Sequence, residues 1–356
     1  MVASEALEAV ALEARDASNE EKTVGMTLDE FIAEWQNDSD RVLVHTSGST
    51  GKPKPLWVEK RRMAASARVT CRFLGLKAGD TALLCLPLDY IAGKMMVVRS
   101  LTCGLRLVSV DPSSHPLADP SLREEQGETL SFAAMVPLQV WNSLQVHEER
   151  ERLRRTRHLI IGGGAIDEAL ERELHYFPHA VWSTYGMTET LSHIALRRLN
   201  GPERSEWYTP FDGVRVTKNE EGCLHIDAPE VCEAPLDTND LVELAPDGRR
   251  FRILGRRDNV VCSGGVKLQI EEIERKLKEH IGVPFMITKC KDSVLGEALV
   301  LLVEDAEAEH YREVCRQVLS RYEVPRHYYT VGHLPMTATG KPARREAEAL
   351  VKNMIS

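Results

Sequence analysis

The sequence predicts an α/β fold with a large N-terminal domain and a small α+β domain at its C-terminal end. Short apolar runs rich in Val, Ile and Leu recur at fairly even spacing, and helical patterns separate several of them. The pattern changes to β-hairpins after residue 205 and changes again after Arg256. An order of strand, helix, strand favours a mainly parallel sheet whose ligands gather at the carboxyl ends of the strands. We therefore expect one domain of mainly parallel sheets and helices plus a β-rich subdomain over residues 1–257, and a second domain over 258–356.

The first 40 residues read as polar helices, and Thr27 with Glu30 fits a capping box that opens TLDEFIAEW. The apolar runs that follow lack strict polar alternation and stop at Gly, Pro or Ser, which is typical of strands buried on both faces. These predicted strands are RVLVH (41–45), TALLCLPL (81–88), LRLVSV (105–110), LSFAAMV (130–136), HLIIGG (158–163) and AVWSTY (180–185). Helices are predicted between them over 59–76 and 167–177.

Beyond residue 205, GVRVTKNEEGCLHIDA and LVELAPDGRRFRILGR have β-hairpin patterns, and the second turns at Pro246-Asp247-Gly248. After Arg256 the sequence predicts a helix in QIEEIERKLKEHIG that closes at Gly282. A hairpin in MITKCKDSVLGEALVLLVE, a helix in HYREVCRQVLSRYEV and a last helix after Pro342 follow. These roughly 100 residues are enough for a compact domain.

The composition of the chain argues against nucleic acid as a binding partner and against a membrane span. A formal net charge of -9 argues against a surface that binds nucleic acid, because such binding depends on clustered Lys and Arg. No secretory signal and no membrane-spanning run is recognisable, so we expect no membrane span. The eight cysteines form no CxxC pair, which predicts reduced packing thiols in a cytoplasmic protein.

Three polar loops follow predicted strands and could bind a ligand. HTSGSTGKPK (45–54) is not a Walker loop, because Thr46 stands where the first Gly belongs and Pro53 follows Lys52. Its hydroxyls, glycines and lysines favour a polyphosphate nest over a plain linker.

The other two loops are less specific. IIGGGAID (160–167) fails the dinucleotide pattern, and it is either a strand-to-helix turn capped by Asp167 or a Gly loop on which a flat ring lies. In STYGMTET (183–190), Tyr185 could stack on a base, Thr188 could bond a phosphate and Glu189 could hold Mg²⁺. An ordinary Tyr-Gly turn is the alternative.

The combination of motifs is more specific than any one of them. From about residue 41 to 350 the chain resembles the adenylate-forming acyl-CoA synthetase superfamily. The resemblance rests on six motifs, which occur in the order HTSGSTGKPK, GGGAI, STYGMTET, Thr238-Asn239-Asp240, GRRDNVVCSGG with QIEEIE, and PMTATGKPARR. The resemblance implies a ligase that converts ATP and a carboxylic acid into an acyl-adenylate and pyrophosphate, after which the thiol of coenzyme A displaces AMP.

The resemblance assigns nucleotide roles residue by residue. The β- and γ-phosphates of ATP would be cradled by Thr46, Ser47, Gly48, Ser49, Thr50, Gly51 and Lys52. The remaining ATP-binding positions would be Gly163, Gly164, Ala165, Ser183, Thr184, Tyr185 on adenine, Gly186, Asp240 on the ribose hydroxyls and the assisting Arg256. Thr188 would contact the α-phosphate, and Glu189 would bind Mg²⁺.

The same resemblance makes residues 258–356 a mobile lid. Lys341, in TATGK, would be the lysine of the adenylation step, where a compact ammonium stabilises charge gathering on the phosphate oxygens. Asp258 would be the hinge, and Ser263, Gly264 and Gly265 would leave room for the pantetheine arm of coenzyme A.

Departures from the superfamily bear on the substrate. Only about 45 residues precede the phosphate loop, so the first subdomain is expected to be truncated, with a homo-oligomer as one way to cover exposed surface. Asn239 replaces the usual Gly, and Asp89-Tyr90 replaces an aromatic-His pair.

Within the superfamily the chain is most similar to short bacterial o-succinylbenzoate-CoA ligases of menaquinone synthesis. An acyl pocket would include Gly162 and Tyr90, with Lys94 or Arg99 as the cation for a second carboxylate. Surface positions on a helix are the alternative for Lys94 and Arg99. Other aryl or short-chain acids, loading of a carrier protein, and a non-catalytic ligand-binding relative stay open.

Overall fold

The structure of the protein, a computed structural model, describes residues 25–45, 55–122, 129–164, 166, 168–337 and 342–355. Within these ranges the chain forms two compact units. The first holds the described residues of 26–257 together with Thr337, and the second holds 258–336 and 342–355. The mixed α/β architecture confirms the predicted fold class.

A seven-stranded sheet forms the centre of the first unit, in the order β4-β3-β5-β6-β7-β8-β9. Its strands are β3 Thr81–Leu84, β4 Arg106–Ser109, β5 Phe132–Met135, β6 His158–Ile161, β7 Ala180–Gly186, β8 His193–Arg198 and β9 Thr209–Pro210. The pairs from β4 to β7 are parallel, whereas β8 and β9 are antiparallel additions beside β7. Strands β3 and β5 are buried at every position, as their continuous apolar runs predict.

Among its described residues the first unit also contains six α-helices, and those over 28–36, 60–74 and 168–174 match the predicted helical segments. They are α1 Leu28–Gln36, α2 Lys60–Leu74, α3 Ile91–Cys103, α4 Pro137–Gln145, α5 His147–Arg155 and α6 Glu168–Leu174, with short 3₁₀ turns at Pro116–Ala118, Pro120–Leu122 and Thr188–Thr190. The capping box is confirmed, since Thr27 and Glu30 exchange side-chain to backbone hydrogen bonds at the start of α1. Such a cap contributes about 1 kcal/mol.

The prediction for RVLVH is wrong in its pairing. Residues Arg41–His45 form a strand, β1, but it pairs antiparallel with β2, Pro55–Glu59, in a separate two-stranded sheet. Only Val42 and Val44 of β1 are buried, so one face is apolar and the strand does not suit a sheet covered on both faces. Residues 46–54, the predicted phosphate nest, lie outside the described residues.

Both predicted hairpins of the β-rich part are confirmed. They form a four-stranded antiparallel sheet of β10 Arg215–Lys218, β11 Cys223–Asp227, β12 Leu236–Leu244 and β13 Phe251–Arg256. The register places Asp240 of β12 directly opposite Arg256 of β13. A bulge between Leu241 and Val242 follows that pair.

The second unit is a five-stranded sheet with three helices among its described residues. Its elements are β14 Val260–Ser263, β15 Val266–Gln269, α7 Ile270–Leu277, β16 Phe285–Asp292, β17 Gly296–Val303, α8 Tyr311–Val318, β18 His327–Thr330 and α9 Arg344–Ile355. Helix α7 ends earlier than predicted, with Lys278 as its C-cap. An apolar cluster including Ile273, Leu301 and Cys315 lies on one side of the sheet, and a second cluster including Val300 and Val351 packs with α9.

All eight cysteines lie within the described residues and all are free thiols. Cys262 is exposed, Cys103 and Cys290 are half-buried, and the others are buried. No helix in the described ranges is both long and apolar enough to span a membrane.

Candidate active site

Strand β7 ends in the aromatic side chain that the sequence assigns to adenine. The ring of Tyr185 packs edge-on against Phe251 with 5.1 Å between ring centroids, and against Tyr208 at 5.9 Å. The Tyr185 hydroxyl donates a 2.7 Å hydrogen bond to Oδ2 of Asp240. Burial and the neighbouring Asp240 carboxylate raise the pKa of Tyr185, so the phenol keeps its proton and remains a donor. Ser183 hydrogen-bonds Tyr208 at 2.7 Å, which fixes the aromatic support of Tyr185.

A carboxylate with two distinct donors lies beside this tyrosine. Arg256 donates a 3.2 Å hydrogen bond to Oδ1 of Asp240, the oxygen that Tyr185 does not use. The backbone N–H of Asp240 donates to the Thr238 hydroxyl at 3.1 Å. The Asp240 side chain is 13% exposed and that of Arg256 is 42% exposed. Tyr185, Asp240 and Arg256 thus form one connected group, called here the ribose-side cluster, and each oxygen of the carboxylate keeps a further lone pair for a ligand hydroxyl.

A tight turn follows β7 and carries the two residues predicted for phosphate and metal. Thr188 is buried and Glu189 is exposed on the 3₁₀ segment Thr188–Thr190. The Thr190 hydroxyl hydrogen-bonds the Met187 N–H at 2.9 Å and donates to the Ser192 carbonyl at 2.7 Å. We call residues Met187–Ser192 the 187–192 turn.

The Glu189 side chain suits a hard cation. Its carboxylate accepts no hydrogen bond and pairs with no basic side chain among the described residues, whereas its backbone carbonyl contacts Cys232 Sγ at 3.7 Å. The described ranges contain no group of three His, Cys, Asp or Glu that could enclose a metal ion. One protein carboxylate completed by phosphate oxygens and water is the arrangement in which Mg²⁺ is usually bound.

The Gly-rich loop after β6 lies close to β7. A Cβ on Gly162 would stand 2.3 Å from the Thr184 hydroxyl, so a side chain here would require Thr184 to move. Gly163 has a left-handed φ of 80°, and Gly164 lies beside Pro137. Gly186 is similarly restricted, because its Cβ would stand 2.2 Å from the Ser192 carbonyl oxygen. Ala165 and Asp167 lie outside the described residues.

Lys94 is not a surface lysine, which was one of the two predictions for it. Its side chain is 2% exposed, and its Nζ lies 3.4 Å from Glu34 Oε2, 3.0 Å from Met26 Sδ and 4.6 Å from the centroid of Phe31. Burial lowers the pKa of Lys94 and the Glu34 carboxylate opposes that shift. The positive charge is thus matched by α1, which weakens the prediction that Lys94 receives a substrate carboxylate.

Arg99 is also buried, so the surface alternative is wrong for it too. It is 2% exposed, and its Nη2 donates a 2.7 Å hydrogen bond to Ser192 Oγ. Burial lowers the pKa of Arg99 to about 10, which leaves it protonated at neutral pH. The hydrogen bond of Arg99 is therefore to the 187–192 turn.

Among the remaining predicted residues, Tyr90 belongs to the first unit, and Asp258, Ser263, Gly264 and Gly265 belong to the second. Tyr90 is the N-cap residue of α3 and forms an isolated bridge with His45. Asp258 lies in the 3₁₀ segment that opens the second unit, and Ser263, Gly264 and Gly265 form the turn from β14 to β15. Lys341 lies outside the described residues.

Two aromatic residues of the site were missed by the sequence reasoning. Tyr208 and Phe251 stack on each other at 5.6 Å and 21°, and both contact Tyr185. No motif marks them, since Phe251 begins an ordinary hairpin strand. The run EWYTPF around Tyr208 was a weak signal, because an aromatic pair between two polar segments is common.

Comparison with known proteins identifies the family. A family model described as AMP-binding enzyme matches residues 2–224, more than half of the sequence. The 2-succinylbenzoate--CoA ligase of Bacillus mycoides (strain KBAB4) is 26% identical over 361 residues, which covers 93% of this chain and 74% of that protein.

Two solved structures are similar in fold. A protein of Dyadobacter fermentans DSM 18053, described as acyl-CoA synthetase (AMP-forming)/AMP-acid ligase II-like, is 36% identical with a TM-score of 0.61, covering 89% of this chain and 91% of that one. The O-succinylbenzoate coenzyme A synthetase of Bacillus subtilis in complex with ATP and magnesium ion has a TM-score of 0.71 at 22% identity, covering 85% and 69%. These comparisons confirm the resemblance that the six motifs indicate: the chain belongs to the AMP-binding enzyme family and is an AMP-forming acyl-CoA synthetase.

Proposed function

We propose that the protein is an ATP-dependent o-succinylbenzoate-CoA ligase that forms an acyl-adenylate and then the coenzyme A thioester. The observation that carries the nucleotide half of this proposal is the ribose-side cluster. Residues 55 positions apart in sequence meet there through a 2.7 Å hydrogen bond from Tyr185 to Asp240. The name shared by the curated relatives supports the acid.

The cluster fits an adenosine. The aromatic ring of Tyr185 can stack on a flat base, and its contacts with Phe251 and Tyr208 hold that ring in place. The Asp240 carboxylate can accept hydrogen bonds from both ribose hydroxyls. These bonds are stronger than those to a neutral acceptor, because the carboxylate is charged. Arg256 lies 3.2 Å from Oδ1 of that carboxylate and pairs with its negative charge.

In the first half-reaction, a carboxylate oxygen of the acid attacks the α-phosphorus and forms the mixed anhydride acyl-adenylate. The bond from that phosphorus to the α,β-bridging oxygen breaks, and pyrophosphate leaves with the electron pair. Thr188 would donate its hydroxyl to an α-phosphate oxygen. Glu189 would hold Mg²⁺, which supplies positive charge to the phosphate oxygens when bound. We propose that Lys341 stabilises the negative charge that gathers at the α-phosphate during this attack, and that the loop at 46–52 holds the β- and γ-phosphates.

In the second half-reaction, the sulfur of coenzyme A attacks the acyl carbonyl carbon, the carbon–oxygen bond to phosphate breaks and AMP leaves with that electron pair. We propose that residues 258–356 act as the lid that separates the two steps, with Asp258 as the hinge and the turn at 263–265 beside the pantetheine arm. The separate compact unit that begins at Asp258 supports this assignment.

A monocarboxylic aryl or short-chain acid is the second candidate for the acyl group. The observation that favours it is the pairing of Lys94 with Glu34, which occupies one of the two cations proposed for a second carboxylate. Arg99 is the other, and it contacts Ser192 from within the core.

Acid-dependent release of pyrophosphate tests the proposal across a panel of acids that includes o-succinylbenzoate, benzoate and short-chain acids, with and without coenzyme A. We expect o-succinylbenzoate to have the highest kcat/KM and thioester to form only with coenzyme A. Turnover confined to monocarboxylic acids would support the second candidate. Absence of pyrophosphate release with every acid would contradict the adenylation proposal, and the Glu189→Gln variant provides the background rate.

A further inference from the structure

We propose that Arg99 is a positioning residue that holds the 187–192 turn in the shape that presents Glu189 to the metal and Thr188 to the phosphate. This inference rests on the proposed function for those two roles. It concerns the hydrogen bond from Arg99 to Ser192, and Arg99 itself has no proposed contact with the nucleotide.

The first observation is a buried cation without an acidic partner. Arg99 lies on α3 and is 2% exposed, and no carboxylate pairs with it among the residues that the structure describes. Its Nη2 donates to Ser192 Oγ at 2.7 Å, its Nη1 lies 3.6 Å from Met96 Sδ, and its Nε has no hydrogen-bond partner. The strongest contact of this guanidinium is therefore with the last residue of the turn.

The second observation is a hydrogen-bond chain that gives Ser192 one orientation. Thr70 Oγ donates to the Ser66 carbonyl at 3.1 Å, so its lone pair accepts from His193 Nε2, 3.1 Å away. His193 is then the Nε2-protonated tautomer, and its Nδ1 accepts from Ser192 Oγ at 3.2 Å. With its proton used in this way, Ser192 Oγ is an acceptor for Arg99.

The third observation is that the turn needs support. Leu191 has a φ of 64°, and it is the one non-glycine residue with positive φ in the described ranges. A conformation of this kind in a branched residue persists only where surrounding contacts impose it. The Ser192 carbonyl also lies against Gly186, so a shift of Ser192 would move both ends of the turn.

Stability alone does not account for an arginine at this position. Burying a charge without an acidic partner costs free energy of folding, and even a buried ion pair can often be replaced by apolar side chains of similar volume without loss of stability. The guanidinium also contacts Met96 Sδ and lies 5.9 Å from the centroid of the Phe132 ring, but its one hydrogen bond to an oxygen atom among the described residues is to Ser192. It is therefore better explained by what it positions than by what it adds to the core. Arg99→Met separates the two roles, because Met keeps most of the volume and removes the donors.

The experiment compares Arg99→Met, Arg99→Lys, Ser192→Ala and the Arg99→Met/Ser192→Ala double variant. Glu149→Ala is the matched control, since Glu149 is also 2% exposed and accepts hydrogen bonds from Ser143 and His115, away from the turn. Two quantities are measured: the Mg²⁺ concentration for half-maximal pyrophosphate release, and amide hydrogen exchange of residues 187–192 in the protein without ligand.

We expect Arg99→Met to raise the half-saturating Mg²⁺ concentration roughly 10-fold and to speed hydrogen exchange across 187–192. Loss of a group that orients a metal ligand typically weakens metal binding about 10- to 100-fold, so this is the lower end of that range. Ser192→Ala should give the same two changes, the double variant should add little to either, and Arg99→Lys should recover most of the loss. Glu149→Ala should lower the melting temperature without either change.

Unchanged exchange and unchanged Mg²⁺ dependence in both Arg99→Met and Ser192→Ala would overturn the inference, as would additive effects in the double variant. If the wild type releases no pyrophosphate with any acid, the proposed function fails, and hydrogen exchange still decides whether Arg99 holds the turn. If Arg99→Met does not fold, Ser192→Ala decides, because it removes a single hydroxyl.

Discussion

The two sides of the candidate active site are built in different ways. In the ribose-side cluster, Tyr185, Asp240 and Arg256 satisfy one another through side-chain hydrogen bonds and lie partly open to solvent. In the 187–192 turn, the Glu189 carboxylate has no described hydrogen-bond partner, and order comes from the backbone and from Arg99 beneath it.

This difference separates binding from chemistry. A cluster whose groups are already paired and charged is suited to hold a ground-state ligand, and its loss is expected mainly in KM. A carboxylate that has no hydrogen-bond or ion-pair partner among the described residues is suited to charge that develops during the reaction, and its removal is expected to lower mainly kcat. The following predictions test this separation, from the largest expected effect to the smallest.

Glu189→Gln should give the largest effect, because it removes the charged metal ligand while keeping the size of the side chain. We expect kcat for pyrophosphate release to fall on the order of 10³-fold with a smaller change in the KM for ATP, as for loss of one electrostatic stabiliser. Steady-state kinetics at saturating Mg²⁺ measures both. A rise in KM with kcat intact would place Glu189 on the binding side and break the comparison.

Asp240→Asn should change mainly the KM for ATP, whereas Glu189→Gln should change mainly kcat. The amide keeps one acceptor for Tyr185 or a ribose hydroxyl but loses the charge that Arg256 faces. Removing the charge from one partner of a partly buried ion pair costs binding free energy. We therefore expect the KM for ATP to rise roughly 10²-fold, while kcat at saturating ATP changes little. ATP titration at fixed acid checks this, with 2′-deoxy-ATP as a second substrate. If the variant discriminates against 2′-deoxy-ATP as strongly as the wild type does, Asp240 does not read the ribose.

Tyr185→Phe is a smaller perturbation of the same cluster. It removes the 2.7 Å hydrogen bond to Asp240 and keeps the ring and its contacts with Phe251. A hydrogen bond to a charged group contributes about 1.5–3 kcal/mol, of which part is recovered from water at this half-buried position, so we expect roughly a 10-fold rise in the KM for ATP. Tyr185→Ala, which also removes the ring, should be clearly worse. Equal effects of the two variants would show that the hydroxyl alone matters.

The loss of stability in acid should be the smallest effect, and one of its two sources, His193, lies directly after the 187–192 turn. Burial, with a contribution from Arg99, holds the pKa of His193 well below its ordinary value, and burial lowers the pKa of His158 to about 4. Both are neutral in the fold at neutral pH, whereas the unfolded chain takes up protons below about pH 6.5. The unfolded state therefore binds more protons from pH 6.5 down to about 4, and stability falls across that window.

Thermal melts between pH 7.5 and 4 measure this fall. We expect a melting temperature that is nearly constant above pH 6.5 and drops by a few degrees below it. His193→Gln should weaken the dependence on pH, because its amide does not titrate. A slope unchanged in that variant would assign the effect to His158 or to carboxylates.

Much of the fold could be predicted from sequence because its signals are local. The apolar runs of β3, β5 and β6 and the Pro-Asp-Gly turn between β12 and β13 each depend on a few adjacent residues. The pairing of β1 could not be predicted in this way. Its partner β2 begins with Pro55, and nothing local shows that the chain returns antiparallel across residues 46–54.

The candidate site divides along the same line. Tyr185 and Asp240 could be predicted from motifs to serve one nucleotide, and the structure adds the hydrogen bond that joins them. Lys94 and Arg99 could not be placed, because each depends on one distant partner. Glu34 and Ser192 lie 60 and 93 positions away, and no periodicity carries that information.

The distribution of thiols has a practical use. Cys262 is exposed on β14 of the second unit, while the remaining seven cysteines are buried or half-buried. Burial also raises the pKa of Cys71 and Cys85 to about 12, which leaves little of the nucleophilic thiolate at neutral pH. A maleimide fluorophore should therefore attach preferentially at Cys262 in the unmodified sequence. Site-specific labelling next to the turn at 263–265 then needs no cysteine removal, and rotational anisotropy of that dye can follow the second unit during turnover.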